Sequence, residues 1–490
     1  MGTKDLRIVL RDVGLLSPVV GVMAFLSVPV AVLFGELHLL GTLGLTAVAS
    51  LGLWAALYLP FRRAGEARLK HGLIVAAVGW LVVAALGALP LLLASVGSGA
   101  PALPYADPAS AFFESVSGFT GTGLTMALRP DLLPRTLQWW RSFMEWVGGM
   151  GVIVLMITLI AGPGMTAANL YFAEAHGEKI HPSVISTVRT MWWIFFLYTF
   201  LAVAGLWGAG MPLWDAVNHG MTAVATGGFS IWPESIGRYR SLAIELVLIA
   251  AMLAGAISFV VHYYALQHGP RTLVADVQTR ALLLLAIGGS LLVGVMGLGR
   301  VSPGTAFRDG AFQLVSALTC TGFQTVPLDG WSDGMKLVLT VAMVIGGAAG
   351  STAGGIKVMR FLLLLRGASW QLRRLACSPD ALIPLRVGRQ TLPELVAYRR
   401  IGEAAVLAML WLTALVGGTL LLSVLVPGFR LADVLFEVAS AQGNVGLSAG
   451  ITSPTMPTLA KLVLIFNMWV GRLEIIPVLM LVRALVLRRD

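Results

Sequence analysis

The sequence predicts an all-α polytopic membrane protein, in which two leading transmembrane helices precede four pseudo-repeated helix–pore loop–helix units around one central pore. Three observations carry this reading. Of 490 residues, 57% are hydrophobic and 12% charged, with a mean hydropathy of +0.85. A soluble domain carries about 25% charged residues, so here lipid must cover much of the surface. Ten apolar stretches reach spanning length, and four semi-polar segments between them repeat one pattern around a glycine. Disorder, coiled coil, collagen and a disulfide scaffold are excluded by the same composition. Cys320 and Cys377 fall on opposite sides of the membrane in the topology below.

The spans lie at about 14–34, 39–60, 72–94, 138–161, 190–209, 241–265, 281–298, 335–365, 401–426 and 459–487. Each is long enough to cross a ~30 Å hydrocarbon core as a helix. The N-terminal MGTKDLRIVLRD leads into a retained span rather than a signal peptide. An even number of spans puts both termini on one side. With that side cytoplasmic, 22 of the 34 Lys and Arg fall inside and ten outside or at the outer boundary, among them Lys336 and Lys461. That is the positive-inside bias. The net charge of +10 is therefore an orientation signal and calls for no nucleic acid.

The chain divides accordingly. Residues 1–61 hold the leading helices, and 62–165 the first unit with loop 120–125. The second unit is 166–270 with loop 225–230; the third is 271–366 with loops 320–325 and 346–355. A basic cytoplasmic linker, 367–400, contains Arg373, Arg374, Arg386, Arg389, Arg399 and Arg400, and its ALIPLRVGRQTLPE stretch suits a hairpin. The fourth unit is 401–490 with loop 443–448.

The repeated segments are ASAFFESVSGFTGTGLT (109–125), WDAVNHGMTAVATGGFS (214–230), RDGAFQLVSALTCTGFQ (308–324) and ADVLFEVASAQGNVGLS (432–448). They align without gaps on Gly123, Gly228, Gly322 and Gly446. Thirteen residues upstream stand Ser110, Asp215, Asp309 and Asp433, read as helix N-caps. Six upstream are the hydroxyls Ser117, Thr222, Ser316 and Ser440; one downstream are the apolar Leu124, Phe229, Phe323 and Leu447. Each segment reads as a capped short helix entering a glycine-centred loop between two spans. A repeat of this kind is a strong organisational signal.

The chemistry follows. Irregular backbone at membrane depth is tolerated where it lines a water- or ion-filled path. Four such loops around one axis present rings of backbone carbonyls that replace a cation's hydration shell. The expected ligands are the carbonyls at Thr122, Gly123, Gly227, Gly228, Thr321, Gly322, Val445 and Gly446. Glycine permits the backbone angles and the close approach, and the short helices aim the negative ends of their dipoles at the axis.

The run GGAAGSTAGGIKVMR (346–360) interrupts the eighth span and lacks the GxxxxGK[ST] phosphate pattern. It should break the helix and leave a flexible segment beneath the loops; a close Gly/Ala helix contact is the other reading. Arg472, in NMWVGRLEIIP, is costly in a span and calls for a cavity with partners. A buried pair with Glu474, or snorkelling to the inner interface, is the alternative. Asp107, Glu114, Asp131, Asp215, Asp309, Asp433 and Glu437 lie outside and fit attraction of cations, while also suiting helix starts. The seven His are scattered without metal-ligand spacing, and no catalytic constellation stands out, so no enzyme is expected.

The four loops together resemble the Trk/Ktr/HKT superfamily of cation transporters, and within it the Trk potassium-uptake membrane subunits (TrkH-like). The resemblance covers nearly the whole chain. WWRSFMEWVGGMGVIVL (139–155) is similar to the family's helix after the first loop, and 162–192 to its interspan segment. It implies K+ uptake across a bacterial inner membrane, with K+ held at the filter carbonyls. It implies an intramembrane gate of Gly346, Gly347, Gly350, Ser351, Thr352, Gly354, Gly355 and Lys357, held closed by Arg472. It also implies a homodimer and a cytosolic TrkA-like nucleotide-binding ring, the chain itself carrying no bound cofactor, with membrane lipids around it. Gly123, where sodium-preferring members carry Ser, favours potassium. The loops depart from a TVGYG filter, so a poorly selective potassium/sodium pore is one alternative. A sodium-coupled transporter of a small solute, bound at the broken eighth span, is another.

Overall fold

A computed structural model describes residues 2–97, 104–151, 184–378, 383–388 and 390–486. Most of 162–192, the second half of the expected span 138–161, and Lys179, Arg389, Arg488 and Arg489 lie outside the described residues. Three helices lead: α1 (Thr3–Leu16), α2 (Pro18–Leu33) and α3 (Leu40–Tyr58). Proline at the first position of α2 fits a helix start, where its missing N–H costs nothing.

Each unit then repeats a long helix, a short helix and a second helix. The first has α4 (Leu69–Gly97), α5 (Pro108–Thr120) and α6 (Arg135–Met150). The second has α7 (Val184–Gly208), α8 (Leu213–Val224), α9 (Leu242–Ala256) and α10 (Phe259–His268), joined through α11 (Arg271–Ala275) to the third. The third has α12 (Val277–Gly297), α13 (Pro303–Leu318), α14 (Asp333–Ile345) and α15 (Val358–Leu375). A hairpin of β1 (Leu385–Val387) and β2 (Gln390–Leu392) follows, antiparallel with Leu385 opposite Leu392. The fourth has α16 (Glu394–Leu425), α17 (Leu431–Gly443), α18 (Thr458–Arg472) and α19 (Ile476–Val486).

The packing closes on itself. Within units, α5, α8, α13 and α17 each lie against the long helix before them and the second helix after them. Between units, α6 packs on α8, α9 on α13, α14 on α17, and α18 returns to α5. The leading helices lean on the first unit, through α4 and α6. The outside is apolar: Phe25, Leu33, Trp193, Phe200, Leu284 and Val424 are exposed, as a lipid-facing surface requires.

Ten continuous spans were expected; among the described residues six helices are long and apolar enough to cross, or eight counting two bent pairs. The stretch 241–265 is α9 and α10, bent by 105°, and 459–487 is α18 and α19, bent by 112°. The stretch 335–365 is α14, an irregular loop, and α15. The breaks are stable because the freed backbone groups find partners. At the α9/α10 bend, the Ala256 carbonyl accepts from Ala348 N–H at 2.9 Å, and Phe259 N–H donates to the Gly350 carbonyl at 3.0 Å. Buried backbone groups left unpaired would be costly.

The interval 367–400 holds the end of α15, the hairpin and the start of α16. Trp370 is buried among Leu385, Val387, Leu392, Ala397 and Ala404, so the hairpin expected there folds onto α15 and α16.

Candidate functional site

The four repeat glycines meet. A Cβ on Gly123 would lie closer than 3.0 Å to the Gly227 carbonyl oxygen, one on Gly228 to that of Thr321, one on Gly322 to that of Val445, and one on Gly446 to that of Thr122. Each glycine thus abuts the carbonyl one residue before the next unit's glycine, and the fourth returns to the first. The φ values are similar, at 83°, 84°, 86° and 97°, a region that side chains disfavour. All eight residues singled out in the sequence lie in this ring. On the side where the chain leaves the ring is a cavity of about 200 Å³, lined by all four glycines with Gln324 and Ser448.

Each loop leaves its helix the same way. Gly121, Thr226, Cys320 and Asn444 take left-handed φ of 64°, 51°, 56° and 53°. The N–H groups of Thr122, Gly227, Thr321 and Val445 then donate to the carbonyls of Ser117, Thr222, Ser316 and Ser440, at 2.8–2.9 Å. This is the six-to-one bond of a Schellman motif. Three of the four turn residues are not glycine, a strain on the order of 1 kcal/mol or more each, so the surrounding packing imposes the turn. Three of the hydroxyl column's four members serve it, in two ways, while Ser117 Oγ is buried without a hydrogen bond among the described residues. Thr222 and Ser316 donate to the carbonyls of Phe229 and Phe323, at 3.2 and 2.8 Å, and Ser440 accepts from Gly446 N–H at 3.0 Å.

A second column was missed in the sequence. Nine residues before each glycine stand Glu114, His219, Gln313 and Glu437, all fully buried. They reach the chain just past the ring: Glu114 accepts from Thr125 Oγ1 at 2.8 Å, and Glu437 from Ser448 Oγ at 2.8 Å. His219 Nε2 lies 2.9 Å from Ser230 Oγ, and Gln313 Nε2 donates to Thr325 Oγ1 at 3.3 Å. The signal was a polar residue at one offset in all four copies, varied in chemistry.

A third column ties units together. Aligned on Gly148, Gly255, Gly346 and Gly471, the second helices place Gln138, Glu245, Lys336 and Lys461 in register. Gln138 accepts from Trp214 Nε1 at 2.9 Å, and Glu245 pairs with Arg308 at 2.7 Å. Lys336 pairs with Asp433 at 2.6 Å, and Lys461 with Asp107 at 2.8 Å. Each bond reaches the next unit's short helix, in the same sense as the glycine ring. The ammonium of Lys461 holds the Asp107 carboxyl down at about 2.

Two sequence expectations change here. Ser110, Asp215 and Asp433 are third residues of their helices, and Asp309 lies well inside α13; the N-cap positions belong to Asp107, Pro212, Ser302 and Arg430. Nor are most of the seven acids left open as an attracting mouth. Glu114 pairs with Arg141 at 2.7 Å, and Asp215 accepts from Trp232 and Tyr239 at 2.9 and 2.6 Å. Glu437, Asp433 and Asp107 are engaged as above.

On the other side of the ring, beneath the turns, lies the loop 346–357. A Cβ on Gly354 would strike the Gly443 carbonyl, and one on Gly346 would strike Gly354 and Gly355. Thr352 Oγ1 donates to the Gly255 carbonyl at 2.9 Å and accepts from Thr226 Oγ1 at 3.0 Å. The loop thus touches both the second and fourth units directly under their turns. Val358 N–H donates to the Gly347 carbonyl at 2.9 Å, and the Lys357 ammonium donates to the Ala353 carbonyl. Gly350 faces Ser258, and Ser351 Oγ turns back to the Ala348 carbonyl at 2.6 Å. Arg472 donates to the carbonyls of Thr352 at 3.2 Å, Gly148 at 2.5 Å and Gly149 at 3.2 Å, and stacks over Trp80 at 5.3 Å. Arg472 thus bonds into the protein rather than snorkelling, and Glu474 two residues on pairs with Arg360 at 2.5 Å.

Such an arrangement can coordinate a desolvated cation by backbone dipoles and obstruct the path beyond it. Residues 45–488 match the family model TrkH, described as cation transport protein. The chain is 32% identical to an uncharacterized cation transporter of Methanocaldococcus jannaschii, over 98% of this chain and 95% of that one. It is likewise 32% identical to the Trk system potassium uptake protein TrkH of Halomonas elongata, over 97% and 98%. The crystal structure of the potassium transporter TrkH from Vibrio parahaemolyticus superposes with a TM-score of 0.83 at 30% identity, covering 97% of this chain and 98% of that one. The chain, a multi-pass membrane protein by its helices, belongs to the TrkH family of cation transport proteins.

Proposed function

We propose that the chain carries potassium ions inward across a bacterial cytoplasmic membrane, its termini on the cytoplasmic side. The observation that carries this is the closed ring of Gly123, Gly228, Gly322 and Gly446, each against its neighbour's carbonyl. The ligands are the backbone oxygens at Thr122, Gly123, Gly227, Gly228, Thr321, Gly322, Val445 and Gly446, which replace the ion's water. The four short helices add their negative dipole ends. The membrane potential drives entry, at about 2.3 kcal/mol per charge per 100 mV. The relatives named as potassium uptake proteins favour this ion over sodium.

The loop 346–355 with Lys357 is the gate, and Arg472 holds it shut through the Thr352 carbonyl. The basic inner face around α15 and the hairpin docks a cytosolic, TrkA-like nucleotide-binding ring, and the chain works as a homodimer.

The test is growth of a potassium-uptake-deficient bacterium at limiting potassium, with rubidium uptake by proteoliposomes holding the full chain. Rescue and uptake are expected; neither, with the regulatory partner present, overturns the proposal.

A further inference from the structure

Behind the ring lies one buried carboxyl that the account above does not use. Glu145, on α6, is fully buried. It stands three residues before Gly148; the same register carries Met252, Met343 and Met468 in the other units. Both of its oxygens accept from one donor, the N–H of Phe229, at 3.1 and 3.0 Å. Phe229 follows Gly228, a glycine of the ring. The carboxyl also packs against Gly227, where a Cβ would come within 2.5 Å of it. So a side chain of the first unit grips the loop of the second from outside the ring.

The peptide between Gly228 and Phe229 is trans. In a planar trans peptide the N–H and C=O point to opposite edges. An N–H tethered to Glu145, on the side away from the cavity, sends the Gly228 carbonyl toward the cavity that Gly228 lines. Gly228 itself has φ 84° and no side chain, so its own conformation resists a flip of that peptide only weakly. A hydrogen bond to the N–H also polarises the whole peptide and strengthens its oxygen as a ligand.

We infer that Glu145 is a positioning residue for ion selectivity: it fixes the Gly228 carbonyl as a cation ligand by accepting from Phe229 N–H. This rests on the transport reading above and deepens it. The loops of the four units are thereby unequal. One has its glycine peptide locked by a carboxyl, and methionine cannot accept a hydrogen bond of comparable strength.

The test uses the full chain in proteoliposomes and measures rubidium uptake against sodium competition. Glu145→Met should lower discrimination about fivefold, the share that one hydrogen bond adds over none. Glu145→Asp, about 1.5 Å shorter in reach, should lose it similarly while keeping the acidic group. Glu145→Gln retains an acceptor oxygen at the same reach and should stay within about twofold of wild type. Thermal unfolding in detergent checks that each variant is folded; should Met fail to fold, the Asp and Gln pair decides. Wild-type discrimination in Asp or Met, or a loss in Gln equal to that in Asp, overturns the inference. A wild-type chain without rubidium uptake overturns the transport reading, and this inference with it.

Discussion

The ammonium of Lys461 lies 2.8 Å from a carboxylate oxygen of Asp107, across 354 residues of chain. It bonds equally to Ser110 Oγ and, at 2.9 Å, to the Pro454 carbonyl. This clasp joins the last unit to the first, so the ring of units closes through it as well as through Gly446 and Thr122. Lys461 is nearly fully buried while Asp107 is half exposed, and Asp107 also caps α5 through the N–H groups of Ala109 and Ser110.

The pH dependence of this clasp has a definite sign. The folded pKa of Asp107, about 2, lies below the unfolded carboxyl value of about 3.9. Its stabilisation is therefore complete above about pH 4 and is lost as pH falls toward about 2. Asp107→Asn keeps the cap and removes the charge, at a cost of about 1 kcal/mol or less for so exposed an acid. The difference in thermal midpoint between wild type and variant in detergent should be constant from pH 5 to 7 and shrink below pH 4. A gap that widens on acidification would contradict the pairing.

The ring makes a sharper prediction. Gly228→Ala or Gly322→Ala would drive a methyl into a backbone carbonyl of the neighbouring loop, which cannot move aside as a side chain would. Rubidium uptake should fall about tenfold or more, since small shifts of coordinating groups change affinity steeply. Gly52, on α3, has open space around it, and Gly52→Ala should leave uptake unchanged. Equal uptake in all three would argue against a ring of close-packed loops.

Glu437 offers a stability test. It accepts from Ser448 Oγ and Ala449 N–H at 2.8 Å, and from the N–H and hydroxyl of Thr452 at 2.9 and 2.5 Å. Glu437→Leu leaves these donors buried and unpaired, at a cost of about 3 kcal/mol or more. The thermal midpoint should drop well beyond that of Glu437→Gln, which keeps acceptors for some of them. Leu and Gln variants of equal stability would show that the donors find other partners.

How much of this was legible in the sequence depends on the length scale of each signal. The glycine column could be read because Gly123, Gly228, Gly322 and Gly446 are identical and the flanking residues alike. The columns of Gln138, Glu245, Lys336 and Lys461, and of Glu114, His219, Gln313 and Glu437, escaped because each keeps a task while changing its chemistry. A lysine facing Asp433 and a glutamate facing Arg308 close the same interface with opposite charges. Acids read as a solvent-facing mouth are partners inside the protein: Asp433 and Asp107 pair with lysines of another unit, the latter 354 residues away, and Glu114 and Glu437 with groups further along their own units. The bends at Ala256 and Arg472 were hidden as well. Both sit within apolar runs of spanning length, and what stabilises the first is hydrogen bonding from the loop 346–355, not local sequence.

The proposed gate is where these interfaces would bear on transport. Arg472 ends α18 one residue after Gly471, whose Cβ would strike the Gln442 carbonyl, so the helix end is pressed against α17. From there its guanidinium reaches Thr352 in the loop and Gly148 and Gly149 in the first unit. Thr352 is held from the other side by Gly255 and Thr226 of the second unit. The loop is thus fixed at one residue by the second and fourth units, the latter through an arginine braced on the first, and a bond from a charged donor contributes about 1.5–3 kcal/mol. Removing it with Arg472→Ala should shift the closed–open balance about tenfold or more, since 1.4 kcal/mol is a factor of ten. Rubidium uptake by proteoliposomes without any regulatory partner should rise accordingly, and deletion of 346–355 should raise it at least as far. Thr352→Val keeps the carbonyl and loses the hydroxyl bonds, so it should fall between wild type and Arg472→Ala. Uptake that is unchanged, or abolished in a chain that remains folded, would show that the loop supports the ring rather than closes the path.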